Sequence, residues 1–332
     1  MRALTQKILP PFLYQFVVFL WDRLNRFRFP YSQALKVYSF YNESRWKGIE
    51  KSESLDFLKA LNSFFPLEKP KGEYQSEKLL ARGAFRLNEL QKMGFDFKGK
   101  AIADVGAGCG EILLASRDFG FQSAMGLDYS AQKYRDQVQA LNLENKLSHA
   151  KYIEADLGDG FGDDESLKEK FDYVVSYNAF EHFHKPEVVL ESMVKILKPG
   201  GTLHAHFGPL FLSPQGAHRY GYSSIPYIQN AFKDPTAFQF FYEELKINEG
   251  VNRYTGEKIT NGDPYSEMNK FDVKYFVDLF SDHMEWEDIK IQRRYDYRYW
   301  WFTKVFKKEL SHISKEDLFT SALIFTLKKP LS

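Results

Sequence analysis

The chain has 332 residues, enough for one large domain or two ordinary ones at roughly 100–200 residues each. Apolar residues make up 44% and charged residues 27%, which excludes a disordered or collagen-like chain, and 45 Lys and Arg against 44 Asp and Glu exclude a global basic field for nucleic acid. The single cysteine, Cys109, excludes an intrachain disulfide and leans towards a reducing, cytoplasmic compartment.

The first apolar stretch, Ile8–Trp21, is shorter than the about 20 apolar residues that span a bilayer. The segment Asp22–Arg26 after it offers no small-residue cleavage site, so a signal peptide is not expected. Phe12, Phe16, Phe19 and Leu20 recur at helical spacing. Two readings stand: a helix docked on its own core or on a partner subunit of a homo-oligomer, which the apolar stripe favours, and an interfacial helix whose residues 8–28 touch an anionic membrane peripherally.

Further on, Ser52 is placed to cap a helix carrying Leu55, Leu58 and Leu61, stopped by Pro66. After a loop at Leu67–Gly72, a second helix is expected from Ser76, with Leu80, Leu87 and Leu90 on its apolar face and Gly94 as its stop. Residues 1–98 therefore read as an N-terminal helical cover.

From Gly99 short apolar runs alternate with helical ones. Strands are expected at Ala101–Val105, Ala124–Leu127, Lys151–Ala155, Tyr173–Ser176 and Thr202–Phe207. Helices are expected at Glu111–Phe119, from Ser130 to Leu141, and at Pro186–Leu197, where proline opens the helix. Such spacing implies βαβ units and a parallel sheet. Residues 208–270 break the rhythm with five of the 13 prolines and many aromatics, as an insertion would. It resumes with a helix at Asp272–Phe280 and strands at Asp288–Gln292 and Ala322–Leu327. The expected organisation is a core of 99–207 and 271–332, with 208–270 recognising the acceptor.

The informative segment is Asp104-Val-Gly106-Ala107-Gly108-Cys109-Gly110-Glu111. Glycines at alternate positions between a strand and a helix let a ligand approach the backbone. A dinucleotide loop would read G-x-G-x-x-G and seat a pyrophosphate on the helix N-terminus. Here the spacing differs, and Asp104 and Glu111 would repel a phosphate, which favours a cationic or neutral adenosine ligand. Asp128, ending the second strand, can accept hydrogen bonds from both ribose hydroxyls. Asp156, ending the third, can accept from an adenine amino group.

Together these residues resemble the class I S-adenosylmethionine-dependent methyltransferases. The matching pieces are Asp104–Glu111, Gly126–Ser130, Glu154–Leu157, Phe171–Phe183 and Leu197–Leu203, in family order and at family spacing. The resemblance implies an α/β, doubly wound, seven-stranded Rossmann-like sheet with one antiparallel strand, and S-adenosylmethionine as cofactor. It implies that Asp104, Gly106, Ala107, Gly108 and Gly110 lie near the methionine part. Asp128 with Tyr129 would hold the ribose, Asp156 with Leu157 the adenine end, and Asn178 with Phe180 would stand beside the transferring methyl.

Methyl transfer from a sulfonium is an in-line displacement that needs a base only when the acceptor must lose a proton. His182 and His218 are the candidate catalytic residues. His182 also reads as a packing residue of its loop, and His218 sits where loops carry function. The stretch Gly208–Pro226 is similar to a subset of these enzymes found in bacterial saccharide and small-molecule contexts, which carries Gly-Pro…Ser-Pro-x-Gly-x-His here. The later Trp-His pair of that subset is missing, since Tyr227 and Ile228 follow Pro226. The pairs His182/His184 and His204/His206 could converge on a metal, but alternating strand histidines usually just face one side, and no metal is expected.

Cations and aromatics interleave at Arg293–Phe302, as on a base- or sugar-stacking surface. A strand edge with a buried aromatic cluster explains the same residues and fits the near-zero charge better. The expected function is O- or N-methylation of a small-molecule or saccharide acceptor. The alternatives are a methyltransferase acting on RNA or protein, and a non-catalytic binding module of the same fold.

Overall fold

A computed structural model of the chain describes residues 34–41, 51–65, 76–218, 225–231 and 268–331. The apolar stretch 8–28, the loop 67–72 and most of 208–270 lie outside these residues. Among the described residues no helix is long and apolar enough to cross a membrane.

One sheet of seven strands organises the molecule, in the order β3-β2-β1-β4-β5-β7-β6. Its strands are β1 Ala101–Val105, β2 Ser123–Asp128, β3 Ala150–Glu154, β4 Phe171–Tyr177, β5 Leu197–Phe207, β6 Asp288–Tyr295 and β7 Thr320–Lys328. The first five pair in parallel, while β7 runs antiparallel to both β5 and β6. This is the doubly wound Rossmann-like sheet with one reversed strand. Every residue of β1 is buried, as a central parallel strand covered on both faces requires. Chain order reverses between β1 and β4, so the carboxyl ends of β1 and β4 open a crevice where such sheets bind ligands.

Helix α1 spans Lys51–Asn62 and α2 spans Ser76–Lys92. Ser52 falls inside the first turn of α1, not at its cap, and the helix ends before Pro66. Helix α2 starts and stops as its sequence predicts, with Gly94 at φ +97° just beyond its end. The helices α3 Glu111–Ser116, α4 Gln132–Ala140 and α5 Pro186–Ile196 connect the parallel strands. Helix α3 is shorter than expected, and the Pro199–Gly201 turn is drawn into a long β5. Residues Ile228–Ala231 form a short α6, and α7 is Val273–Asp282, whose first turn is capped by Asp272 accepting from Tyr275 N at 2.6 Å.

The segment Arg293–Phe302 fits the reading of a strand edge with a buried aromatic cluster in part, since β6 is the edge strand of the sheet but only its last residues belong to the segment. Strand β6 ends at Tyr295, and the chain turns into α8 Trp300–Val305, followed by α9 Lys315–Phe319. The helix puts Trp301 and Phe302 inside and leaves Trp300 exposed. They join a second apolar cluster with Val37, Leu58, Phe65 and Tyr227, distinct from the cluster around the sheet. Much of the aromatic excess is used here, with Phe302 stacked on Phe306 at 4.2 Å between ring centroids.

Candidate active site

The loop from Gly106 to Gly110 starts where β1 ends. Gly106 N and Ala107 N both donate to Leu127 O, at 2.9 and 3.2 Å, tying the loop to β2. Gly106 has φ +76°, and a Cβ there would stand 2.5 Å from Ala179 Cβ. Gly110 has φ +74°, and its Cβ would meet Tyr134 at 2.3 Å. Both positions exclude any side chain. Gly108, by contrast, faces open space, with nothing within 4 Å of where a Cβ would sit.

Asp128 anchors this loop. One of its oxygens accepts from Gly108 N at 2.8 Å and the other from Tyr129 N at 2.7 Å. Each oxygen keeps a further lone pair for a hydroxyl donor. Tyr129 is 77% exposed at the rim. Asp104 is buried, and its Oδ1 has no hydrogen-bond partner among the described residues. Burial pushes its carboxyl up to about 7, with Arg86 pulling it down and Asp128 raising it.

These residues line one cleft of about 290 Å³, shared with Asn178, His182, Gly208 and His218. Asn178 has φ +52°, and its N–H donates to His206 O at 2.9 Å, which fixes the end of β4 against β5. His182 and His218 stand edge to face, with ring centroids 5.2 Å apart. Asp156 and Leu157 are not among the lining residues, nor is Gly110. Asp156 Oδ1 instead accepts from Gly158 N at 2.9 Å, capping the short turn after β3.

The chain segment that brings His218 into the cleft is tightly folded. Glu181 Oε1 accepts from Gly208 N at 3.0 Å, joining the loop after β4 to the end of β5. A Cβ at Gly208 would lie 2.3 Å from Ser321 O, and one at Gly216 would lie 2.2 Å from Phe211 O. Gln229 Nε2 donates to Phe211 O and Ser213 O at 2.6 and 3.0 Å, closing the loop from below. His218 itself has φ +54°, and its Nε2 lies 2.7 Å from Pro209 O. A carbonyl only accepts, so Nε2 carries a proton.

Arg82 and Arg86 line the cleft and escaped the sequence reading. Both reach over from α2 and pair with Glu111 of α3, with Arg86 Nη1 2.6 Å from the carboxylate. Gly83 allows this approach, since a Cβ there would collide with Glu111 O. The Arg86 guanidinium also sits 4.5 Å from the centroid of the Tyr177 ring. Glu111 is thus a buried anion balancing two arginines, and the only advance signal was their spacing of one helical turn on α2.

The residues fit S-adenosylmethionine. A buried, unpartnered carboxylate oxygen suits a cationic ligand, a glycine loop open at Gly108 admits it, and Asp128 presents two acceptors. Residues 103–203 match the family model described as a methyltransferase domain. No curated protein is significantly similar to the chain. Among solved structures, an S-adenosylmethionine-dependent methyltransferase from Mesorhizobium loti is 16% identical, with 75% of this chain and 100% of that one covered and a TM-score of 0.43. Phosphoethanolamine N-methyltransferase 2 of Haemonchus contortus, in complex with phosphomonomethylethanolamine and S-adenosylhomocysteine, is 14% identical, with 74% and 52% covered and a TM-score of 0.44. The [4+2]-cyclase SpnF is 14% identical, with 81% and 87% covered and a TM-score of 0.42. Likenesses this distant say nothing of a substrate. The match to a methyltransferase domain covers residues 103–203, the central part of the chain that carries the glycine loop, Asp128 and Asn178.

Proposed function

We propose that the enzyme methylates a hydroxyl or amine of a small polar acceptor, a saccharide being the leading class, at the end of the cleft marked by Asn178, His182 and His218. The cofactor supplies a methyl group on a sulfonium, a good leaving group. Asp104 and Asp128 bind its charged and ribose parts and fix the direction in which the methyl faces. The carbonyl of Pro209 orients His218, whose imidazole takes the acceptor's proton.

The observation that carries this reading is the pair of imidazoles sharing one cleft with the Asp104–Asp128 loop. The net charge of +1 and the resemblance of Gly208–His218 to enzymes from saccharide contexts support a small acceptor over RNA. Methyl-labelled cofactor incubated with fractionated cell extract tests it. Label in low-mass polar or saccharide fractions is the expected result. Label confined to RNA or protein would overturn the assignment.

A further inference from the structure

Glu181, His182 and His218 each offer one ligand atom, and these atoms all lie within 4.8 Å of one another. A divalent ion with bonds of about 2.0–2.2 Å holds tetrahedral ligands roughly 3.4 Å apart. The three side chains therefore need a small closure to reach bonding distance.

A second observation points the same way. Glu181 is 1% exposed, and its Oε2 is buried with no hydrogen-bond partner among the described residues. Its other oxygen is spent on Gly208 N. A carboxylate oxygen left bare in a buried place is costly unless a cation or donor meets it. His218 Nε2 lies 2.7 Å from Pro209 O, the kind of outer hydrogen bond to a carbonyl that orients metal-bound imidazoles. Its positive φ is strain retained at this point of the chain.

We propose that Glu181, His182 and His218 bind a divalent transition-metal ion at the acceptor end of the cleft. Two imidazoles and one carboxylate suit Zn²⁺ or Co²⁺ better than Mg²⁺, which prefers oxygen ligands. The histidines involved are not the His-x-His pairs of the sequence. His204 is committed elsewhere, its Nδ1 2.9 Å from Thr326 Oγ1. Three protein ligands leave a position for an acceptor hydroxyl, which the ion would orient and acidify. The hydroxyl proton is then lost to the medium. The oxygen forms its bond to the methyl carbon as the carbon–sulfur bond breaks and the electron pair stays on sulfur. His218 is in that case a ligand and not the proton acceptor. The inference rests on the reading that the acceptor enters at this end of the cleft.

The test is a Co²⁺ titration of the full chain after chelator treatment, followed by visible absorption and metal analysis. One ion per chain is expected, displaced by Zn²⁺. Glu181→Gln keeps an oxygen for Gly208 N–H but removes the anion, and His218→Ala removes an imidazole. Both should weaken Co²⁺ at least tenfold while S-adenosylmethionine still binds, which shows that the fold survives. Wild-type protein that binds the cofactor but no Co²⁺ or Zn²⁺ would overturn the metal site. So would unchanged affinity in both variants. Metal-free enzyme that methylates at full rate, with that rate still dependent on His218, would also overturn it and leave the proton-acceptor role standing.

Discussion

Arg86 and Glu111 meet at 2.6 Å in the wall of the cofactor cleft, one from α2 and one from α3. Their pairing ties α2 to α3 of the Rossmann-like core. Removing the anion takes the Glu111 carboxylate away from a guanidinium whose side chain is only 13% exposed. Breaking a buried pair from one side costs about 3 kcal/mol or more. Glu111→Gln should therefore lower the denaturant midpoint by a corresponding amount, and an unchanged midpoint would mean that the tie does not hold the helix in place.

The pH dependence of cofactor binding follows from Asp104. Its carboxyl is pushed up to about 7 from an ordinary 3.8, chiefly by burial. The folded protein therefore keeps this proton well above the pH at which an unfolded chain gives it up. The group's contribution to stability is full below the unfolded value and is lost as pH rises through about 7. A cationic ligand favours the ionised form, so affinity for S-adenosylmethionine should rise between about pH 5.5 and 7.5. Calorimetry across that range should show the rise in wild type and a flatter profile in Asp104→Asn. A flat wild-type profile would remove Asp104 from contact with the cofactor's charge.

Gly106 and Gly108 should part company when each is changed to alanine. Both have positive φ, at +76° and +52°, a strain of about 1–2 kcal/mol for a residue with a Cβ. Only Gly106 adds a collision, with Ala179 Cβ. Gly106→Ala should unfold at markedly lower temperature. Gly108→Ala should melt closer to wild type yet bind the cofactor more weakly, because its methyl group points into open space at the cleft wall. Equal melting losses in the two variants would contradict this division.

Much of this was legible beforehand because it rests on local chemistry. The β1 run Ala101–Val105, the glycines after it and the acids near the ends of β1 and β2 carry their roles in their spacing. The arginines were not legible. Arg82 and Arg86 act through a helix that returns to the site only in three dimensions, and Glu111 looked like a repelling acid because its partners lie 25 or more residues away. The short helix α8 was missed because Tyr, Trp and Phe favour strands as surface fits, while here burial of Trp301 and Phe302 against α1 decided the outcome.

His218 is the residue whose loss should separate binding from chemistry. His218→Ala should reduce turnover by about 10²–10⁴ if its imidazole accepts the acceptor's proton. Cofactor affinity should change little, since Asp104 and Asp128 lie on the loop side of the cleft. Steady-state kinetics alongside calorimetry separates the two quantities, and an undiminished turnover would exclude the role.

The account depends most on Asp128, which holds the glycine loop through Gly108 N and offers lone pairs to the ribose. The measurement that tests it most directly is a calorimetric titration of wild type and Asp128→Ala with S-adenosylmethionine. A single site in wild type, weakened tenfold or more in the variant, is the predicted result, as expected from losing hydrogen bonds to a charged group worth about 1.5–3 kcal/mol. No binding by wild type, or equal affinity in the two proteins, would contradict it.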